Sequence, residues 1–465
     1  VAVTNSIFQD LKDSAIHVEG DRQPSYVEAR NSSFINNHSS DNGGAIFCKT
    51  INVANIIFRE NYAKEAGGAI YLEPVSLSFD DFEEYERPVD HIHNCIFDSN
   101  IAGFEGGGIC AYNPNYVKNP DFGVLRYFEL TPIGRQYSYL INTSNSVFFG
   151  NEAERGGAYS GFGALINCTL VQNSAYASAS VFAPVTEHPR IAYTAFTNCI
   201  LWDNRNIFNP KDKHGIWNDW NLGNQFQSLP VFFRIPRYPG DPLASAVNGE
   251  GNLEELIQIY FDNNNSTPIL AHNWTDNENP FQSAFSQNPL FVNQADPDGP
   301  DDIWMTGDDG LRLKEGSPAI DMGNGDYISF DGSDLDGNGI IKEDIPYDLI
   351  GNQRIFGKID LGAYESRPGD AIAGAPGWYD LSWFGSYFDN GTNWIFHQNM
   401  GKWIFVNQWT PKDLYFYLDE LGWVWTSPSI YPHLYSFRNK SWIYLSTQQG
   451  KPYYYSHQRD TWYQL

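Results

Sequence analysis

A short pattern, Asn-x-x-(Phe/Leu)-x-x-Asn, recurs through the first 204 residues and restricts the chain to a repetitive fold. A glycine run follows in four copies, "GGAI" at 43, "GGAI" at 67, "GGGI" at 106 and "GGAY" at 156. Successive anchor residues are 26, 24, 39, 51, 22 and 31 positions apart, so the unit is about 22 to 26 residues long and the longer steps hold insertions. A period of this length is typical of a solenoid. The copies are Asn31/Phe34/Asn37, Asn55/Phe58/Asn61, Asn94/Phe97/Asn100, Asn145/Phe148/Asn151, Asn167/Leu170/Asn173 and Asn198/Leu201/Asn204, after a degenerate first copy with Asn5, Phe8 and Leu11.

The composition of the repeat indicates strands. Asn, Gly, Ser and β-branched residues dominate, and no 3.6-residue periodicity is present, which excludes helical repeats. One coil of a parallel β-helix needs about this length for three short strands and their turns. Equivalent positions of successive coils then stack about 4.8 Å apart. The sequence therefore predicts a parallel β-helix.

Stacking gives the repeated residues a structural role. The phenylalanines would form an internal ladder, and stacked asparagines can bond to each other and to the turn backbone. The glycines allow a positive φ or a close backbone approach where a coil turns a corner. The predicted ladder residues are Phe34, Phe58, Phe97, Phe148, Asn37, Asn61, Asn100 and Asn151.

Five cysteines, an odd number, argue against a complete disulfide framework. Three occur in one local context, "NCIF" at Cys95, "NCTL" at Cys168 and "NCIL" at Cys199. This recurrence fits small side chains stacked inside a repeat better than a thiol nucleophile or a metal site.

The "FxxN…GGAI" repeat resembles that of polymorphic outer-membrane proteins and related bacterial surface β-helices. The resemblance covers roughly residues 1 to 204. It implies a right-handed parallel β-helix, a secreted or cell-surface location in a bacterium, and often a role in adhesion.

A formal net charge of −27 argues against nucleic acid as a partner, because phosphate binding needs clustered Lys and Arg. It suits a secreted protein or one that binds divalent cations. No run of 18 apolar residues is present, so we expect no membrane span in this chain. The chain opens on the strand-like "VAVTNSIF" without an initiator Met or a signal peptide, and we expect a mature or trimmed piece of a longer protein.

Three insertions interrupt the coils, at about 74–92, 113–140 and 205–287. The first is acidic and the second aromatic, and the third holds Trp217, Trp220 and Trp274. Long loops in repeat proteins often gather on one face as a binding surface. Loops that merely cover the side of the helix are an equal alternative.

Residues 291–370 carry 18 acidic and 6 basic side chains, hence a local charge of −12. Aspartates alternate with Gly and Asn in "DPDGPDD" and "DLDGNG", a pattern that can bring oxygen ligands together around Ca²⁺. The second stretch matches the first positions of a calcium loop, but Ile345 replaces the final Glu. An Asx-rich solvated turn is the alternative. The predicted calcium ligands are Asp334, Asp336, Asn338, Glu343 and Asp344 in one group and Asp296, Asp298, Asp301 and Asp302 in the other.

This acidic segment resembles the closing coils of large secreted bacterial β-helix proteins. The matching stretches are "LRLKEGSPAID", "DLDGNG" and "IDLGAYE", in that order. The resemblance implies that 288–365 completes the solenoid and caps it.

A Gly/Ala/Pro-rich linker at 367–377 precedes a change of composition. Residues 378–465 hold nine of the fourteen tryptophans, in aromatic triplets such as "WIF", "YFY" and "WVW". The triplets begin 8 to 12 residues apart, which predicts a meander of hairpins with residues i and i+2 on one face. The sequence therefore predicts an all-β chain, with a parallel β-helix followed by a small antiparallel β-hairpin domain over 378–465. The resemblances imply that the β-helix is right-handed and extends over 1–366.

The aromatic rows of this module are either its core, which is slightly favoured, or a platform for sugars or choline-like cations. The module is similar to the aromatic hairpin repeats of choline- and glucan-binding proteins, although their Gly-Trp period is not kept. The candidate ligand or assembly residues are Trp394, Trp403, Tyr415, Tyr417, Trp423, Trp425, Trp442 and Tyr444.

Parallel β-helices also host polysaccharide lyases and hydrolases, whose sites need basic residues, paired carboxylates or both. Lys and Arg are sparse here, and we expect His91 and His93 in "DHIHNCIF" to decorate a coil. No catalytic residue is predicted. We predict a non-enzymatic extracellular protein, an adhesin, stalk or filament subunit, whose partner is an extracellular glycan or further copies of itself. The alternative is a polysaccharide lyase or hydrolase with a glycan-binding tail.

Overall fold

The computed structural model describes most of the repeat copies, the closing segment and the aromatic tail. The described ranges are 1–19, 26–73, 90–111, 141–161, 163–177, 180–182, 194–206, 274–275, 288–323, 325, 328–356, 358–372, 375, 377–390, 392–409, 413–448 and 451–465. The three predicted insertions lie largely outside these ranges, and so do Trp217 and Trp220.

The described residues of the repeat region form strands and turns. In chain order the strands are β1 (Ala2–Thr4), β2 (Ile7–Gln9), β3 (Ile16–His17), β4 (Tyr26–Ile35), β5 (His38–Ser39), β6 (Ile46–Cys48), β7 (Thr50–Arg59), β8 (Tyr62–Ala63), β9 (Ile70–Leu72), β10 (His91–Asp98), β11 (Ile101–Ala102), β12 (Ile109–Ala111), β13 (Asn142–Ser144), β14 (Val147–Phe149), β15 (Glu152–Arg155), β16 (Tyr159–Gly161), β17 (Gly163–Ile166), β18 (Thr169–Val171), β19 (Ser174–Ala177), β20 (Val181–Phe182), β21 (Thr194–Thr197), β22 (Ile200–Trp202), β23 (Arg205–Asn206) and β24 (Trp274–Thr275). Among the described residues no helix has the length and apolarity needed to cross a membrane.

These strands form three parallel sheets, one with twelve strands and two with six strands each. A coil passes through the large sheet, then through each small sheet, and returns; β4, β5, β6 and β7 make one such turn. The anchor residues of the repeat pair directly with each other, Phe34 with Phe58 and Phe97 with Phe148, for example. Sequence repeat and strand register therefore coincide, which confirms the parallel β-helix.

The phenylalanines stack along the inside of the large sheet. Ring centroids of Phe34 and Phe58 are 5.2 Å apart, those of Phe58 and Phe97 5.0 Å, and those of Phe97 and Phe148 4.5 Å. All four side chains are fully buried. Each coil thus contributes one ring to a continuous aromatic column in the core.

The two asparagines of the motif have different roles. The first one, as in Asn31 and Asn55, bends the chain with a positive φ, and φ lies between 46° and 56° in all seven copies. Asn adopts this left-handed conformation at lower cost than most residues. The second one is buried and bonds between coils, since Asn61 donates its amide to Asn100 Oδ1 at 2.9 Å. The first asparagine therefore shapes the coil, with only an exposed bond to its neighbour, as Asn55 donates to Asn31 Oδ1 at 3.1 Å, and the second joins the coils in the core.

The two glycines of each pair also have different structural roles. The first glycine turns the corner, with φ of +67° at Gly43 and +70° at Gly67. The second one lies against the next coil, because a Cβ on Gly44 would come within 2.0 Å of the Gly68 carbonyl oxygen. Both predicted reasons for glycine therefore apply, each at its own position.

All five cysteines are buried free thiols. Cys95, Cys168 and Cys199 directly follow the bending asparagine, where three other coils have Ser6, Ser32 and Ser146. The Ser146 hydroxyl donates to a backbone carbonyl two residues earlier, and the Cys95 thiol does the same. The three cysteines act as small stacked residues, as the sequence indicates.

The described part of 288–365 contributes no strand to the parallel sheets, which differs from the predicted further coils. It folds in turns and lacks the Asn and Phe positions that set the register. The chain forms two compact units, and the closing segment contributes residues to both. The first unit comprises Val1–Asn288, Asp326–Ile345 and Leu361–Ala363, and the second comprises Pro289–Gly325, Pro346–Asp360 and Tyr364–Leu465.

Within the first unit, parts of the closing segment cover the outward face of the large sheet. The Asn142 amide donates to Ser329 Oγ at 2.6 Å, and the Ala363 N–H donates to Thr169 Oγ1 at 3.0 Å. Neighbours of the ladder residues, such as Ile96 and Val147, point to this outward face and are fully buried. This part of the large sheet is therefore covered on both faces.

In the second unit the aromatic tail forms an eleven-stranded antiparallel meander, in which every strand pairs with the next. This confirms the predicted hairpin domain. Its strands are β25 (Asp370–Ala371), β26 (Trp378–Leu381), β27 (Gly385–Asp389), β28 (Trp394–His397), β29 (Lys402–Trp409), β30 (Leu414–Leu418), β31 (Gly422–Thr426), β32 (His433–Ser436), β33 (Ser441–Gln448), β34 (Lys451–Ser456) and β35 (Thr461–Gln464).

Candidate functional site

The meander has an aliphatic face and an aromatic face. On β28, Trp394 is 42% exposed while the next residue, Ile395, is fully buried. Successive strand residues point to opposite faces, so each aromatic triplet sends its central residue one way and its outer two the other. The outer aromatic residues are thus not the core, which the sequence had slightly favoured. The buried central residues are Ile395, Ile404, Phe416, Val424 and Ile443.

Strand pairing arranges the aromatic face into four rows. Each row runs across four neighbouring strands, and each next row begins two strands further along. The rows are Trp378, Phe388, Phe396 and Trp403; Trp394, Phe405, Tyr417 and Trp423; Tyr415, Trp425, Tyr435 and Trp442; and His433, Tyr444, Tyr455 and Trp462.

Every row ends in a tryptophan that lies at an angle to its neighbours. Ring centroids of Tyr435 and Trp442 are 5.5 Å apart, and those of Trp425 and Trp442 are 6.0 Å apart. Edge-to-face and tilted contacts of this kind are favourable between aromatic rings. The neighbouring rings thus hold each terminal indole in place and leave part of its surface exposed to solvent.

All eight aromatic residues predicted as ligand or assembly residues lie in these rows. The structure adds Trp462, Phe396, Phe405 and Tyr435, among others, to the same face. Phe396 and Phe405 stand two positions after predicted tryptophans, so the i+2 rule for strands could have found them.

The closing segment forms two acidic clusters, each within its own unit. In the first, one carboxylate oxygen from each of Asp331, Asp336 and Glu343 lies within 4.8 Å of the others. The pKa of Asp331 is raised to about 6, first by burial and then by the nearby Asp336, Asp334 and Glu343. Asn338 donates its amide to both Asp336 and Glu343, so it borders the cluster.

The structure therefore brings together only part of the first predicted group. Asp334 accepts the Gly339 N–H at 3.0 Å and lies outside the cluster, and Asp344 is outside it as well. Asp331, which sequence reasoning missed, takes their place. It stands five residues before Asp336 in the same Asp/Gly-rich stretch, outside the calcium-loop template.

The second cluster retains most of the predicted residues. Asp296, Asp298 and Asp302 each place a carboxylate oxygen within 4.8 Å of the others. Asp301 stands apart, because its carboxylate accepts the Ile303 N–H at 2.9 Å. Either cluster offers the hard oxygen ligands that Ca²⁺ prefers.

Elsewhere in the second unit, the buried Asp309 and the partly buried Asp321 have raised pKa values. Asp309 accepts the Tyr364 hydroxyl at 2.8 Å and two backbone N–H groups, and burial raises its pKa to about 7. The pKa of Asp321 also rises to about 7, through burial and then through the neighbouring Asp360. Both groups bind a proton more tightly than an exposed aspartate.

His91 and His93 lie on a strand of a coil, as the sequence indicates, and the closing segment packs against them. Their imidazoles share a 2.8 Å hydrogen bond, and His93 Nδ1 lies 3.0 Å from Ser144 Oγ. Burial lowers the pKa of His91 to about 4 and that of His93 well below its usual value. Gly332 lies against His91, because a Cβ there would come within 2.1 Å of Nε2. The pair supports the packing of the closing segment.

Comparison with known proteins identifies the repeat. Residues 31–49 and 55–73 each match the Chlamydia polymorphic membrane protein repeat, which confirms the predicted resemblance for these two coils. The repeat indicates a bacterial outer-membrane or surface protein. Neither the curated proteins nor the solved structures include a match to the chain.

Proposed function

We propose that this chain is a non-enzymatic structural protein of the bacterial surface, with the β-helix as a stalk and the meander as the part that attaches. The attached partner is an extracellular glycan or another copy of the chain, so the protein acts as an adhesin or as a filament subunit. One observation supports this most strongly. Indoles such as Trp423 and Trp442 remain more than two-fifths exposed, while the core of the module is filled by mostly aliphatic residues and a few buried rings such as Phe416.

Exposed aromatic residues are unfavourable in water unless a partner covers them. Burying a large apolar side chain stabilises by about 1.5–3 kcal/mol, and the module leaves this gain unused at each exposed indole. Tyr and Trp also bind partners at low entropic cost, because their side chains have few rotatable bonds. Contiguous apolar surface of this kind marks an interaction site.

The β-helix supports the role of a stalk. Each coil joins the next through a stacked phenylalanine and a buried asparagine, as Phe58 and Asn61 do with Phe97 and Asn100. Stability in such an array comes from contacts between neighbouring repeats, so it extends evenly along the coils.

We also propose that Ca²⁺ binds the two acidic clusters and stabilises the closing segment. Three carboxylates in each cluster repel one another without a cation, and they carry the ligand type that Ca²⁺ prefers. Calcium would then act on folding and would take no part in a reaction.

The experiment measures binding of the full chain to bacterial cell-wall preparations and to an array of extracellular glycans, together with its self-association by sedimentation. Binding to a wall fraction or glycan, or concentration-dependent assembly, is the expected result. A chain that binds none of these and stays monomeric contradicts the proposal.

The alternative, a polysaccharide lyase or hydrolase, gains no support from the comparisons. An assay with acidic polysaccharides, with and without Ca²⁺, separates the two functions. Release of products by the full chain would favour the enzyme, and their absence alongside binding would favour attachment.

A further inference from the structure

Four of the exposed indoles occupy equivalent positions in successive hairpins. Each ends one aromatic row, and each follows within two residues of a hairpin turn whose last residue has a positive φ, as Gly401 and Lys440 do. Their exposed fractions are nearly equal, between 41% and 45%. They are Trp403 on β29, Trp423 on β31, Trp442 on β33 and Trp462 on β35.

These positions place the four indoles in a line along one edge of the aromatic face. In an antiparallel meander, alternate turns lie at the same end of the strands, so residues just after them do too. Neighbouring strands lie about 4.7–4.9 Å apart, and Trp423 is level with Phe405, two residues beyond Trp403, so successive indoles step diagonally and lie roughly 11–12 Å apart. This indole line is a periodic surface, whose period is somewhat longer than two sugar units of an extended polysaccharide.

The exposed area argues against a second copy as the occupant of the line. A tryptophan buries up to about 250 Å² when fully covered, so four that are 41–45% exposed offer roughly 400 Å². A stable protein interface buries about 800 Å² on each partner. The four indoles alone therefore fall short of a stable dimer interface, whereas a narrow polymer that lies along them would cover them.

The charges beside the line favour a neutral polymer. Lys402 pairs with Glu420, and Arg438 donates to the Asp419 carbonyl at 2.8 Å. Between Asp380 and Asp460 the acidic and basic side chains number six each. The surface thus has no excess of positive charge to select a polyanion. The flat apolar face of a pyranose ring fits an exposed indole.

We propose that the indole line binds a single chain of a neutral polysaccharide, made of equatorially linked pyranose rings and running diagonally across the strands. The line offers about one indole for every two sugars. This inference rests on the proposed attachment function and specifies its ligand class and its binding residues.

The first experiment is a titration of the full chain with cello- and chito-oligosaccharides of increasing length. Affinity is expected to rise with length until the oligosaccharide spans all four indoles, at about eight sugars, and then to level off. Two oligosaccharides serve as comparisons: maltohexaose, whose linkage bends the chain, and an oligogalacturonate, which is anionic. Each is expected to bind at least about tenfold more weakly than the cello-oligosaccharide of the same length. Affinity that does not change with length overturns the proposal.

The second experiment compares single substitutions in the full chain. Trp423→Ala and Trp442→Ala are each expected to weaken binding of the longest oligosaccharide by about tenfold or more, while Trp423→Tyr keeps a ring and loses less. Phe104→Ala is the matched control, because Phe104 is an aromatic residue that is 40% exposed but lies in the β-helix, outside the aromatic face. It is expected to bind as the wild type does. Equal losses for Phe104→Ala and Trp423→Ala overturn the indole line.

The outcomes also separate this inference from the proposed function. If the wild type binds cell walls or itself while no oligosaccharide binds, attachment stands and the neutral polysaccharide is wrong. If the wild type binds no wall fraction, glycan or copy of itself, both are wrong. Near-ultraviolet circular dichroism of each variant checks that a loss of binding does not come from unfolding.

Discussion

The side-chain amide of Asn61 donates to the backbone carbonyl of Phe34, one coil away, at 2.8 Å. Asn100 makes the same bond to Phe58, and Asn151 makes it to Phe97. Within a coil the buried asparagine follows the phenylalanine by three residues, and between coils it bonds to the equivalent phenylalanine. The fixed offset in the sequence is therefore a requirement of hydrogen bonding between coils.

Replacing Asn100 with Ala is expected to destabilise the β-helix by about 3 kcal/mol, because the Asn61 N–H and the Phe58 carbonyl each lose a buried partner. Asn55→Gly is the control. Asn55 bends the chain at φ +56°, which glycine adopts freely, so we expect a change within about 0.5 kcal/mol. Chemical denaturation of both variants measures the difference. Equal losses would mean that the two asparagines do not have separate roles.

Phe58→Ala is expected to cost about 3–5 kcal/mol, as a truncation in a packed core. Phe58 is fully buried between Phe34 and Phe97. Ile7→Ala, at a position 73% exposed, provides a comparison and should change stability little. A mild effect of Phe58→Ala would show that the ring column contributes less than its burial indicates.

Calcium is expected to raise the melting temperature of the full chain, and chelation is expected to lower it again, because an ion that binds only the folded state stabilises that state. Asp331→Asn should reduce the calcium effect, whereas Asp344→Asn, outside the cluster, should retain it. The pKa of Asp331 is about 6, so binding should weaken as the pH falls below that value. Identical melting with chelator and with millimolar Ca²⁺ contradicts the calcium proposal.

Stability of the second unit is expected to fall as the pH rises from about 4 to above 7. Asp309 and Asp321 have folded-state pKa values of about 7 against an ordinary value of 3.8. The folded state holds these protons more tightly, so its advantage is full below the ordinary value and is lost as the pH passes 7. Thermal unfolding followed by tryptophan fluorescence tests this.

The matched variants for this experiment are Asp309→Asn and Asp308→Asn. Asp309→Asn removes one buried titrating group and should flatten the pH dependence, whereas Asp308→Asn leaves that group in place. A pH dependence that Asp309→Asn does not alter would assign the effect to other groups.

The coils could be predicted from the sequence because the spacing of the repeat sets the register between neighbouring strands. Phe34 and Phe58 pair across coils and stand one repeat apart, so counting residues was enough. The closing segment could not be placed in this way. Ser329 meets Asn142 and Ala363 meets Thr169, contacts across nearly two hundred residues that no local period encodes.

For the candidate sites too, the sequence predicted the features that depend on local spacing and missed those that depend on folding. Residues i and i+2 of each aromatic triplet share a face, which strand alternation alone indicates. Strand alternation does not indicate which of the two faces packs into the core. The slight preference for the outer aromatic residues as the core was wrong, because the central residues of the triplets pack there instead. Asp331 was missed because the carboxylates gather by folding of the loop, and a linear calcium-loop template does not describe that geometry.

The equivalence of the asparagine bonds from coil to coil has a consequence for how such a protein can change in length. Asn37 bonds to Asn61 and Asn61 to Asn100 through the same atoms, although the intervening chain is 24 residues in one case and 39 in the other. A duplicated coil would find the same partners above and below it and would extend the array by about 4.8 Å. Duplication or loss of one gene segment could thus set the reach of the molecule in small, regular increments without a new core having to evolve.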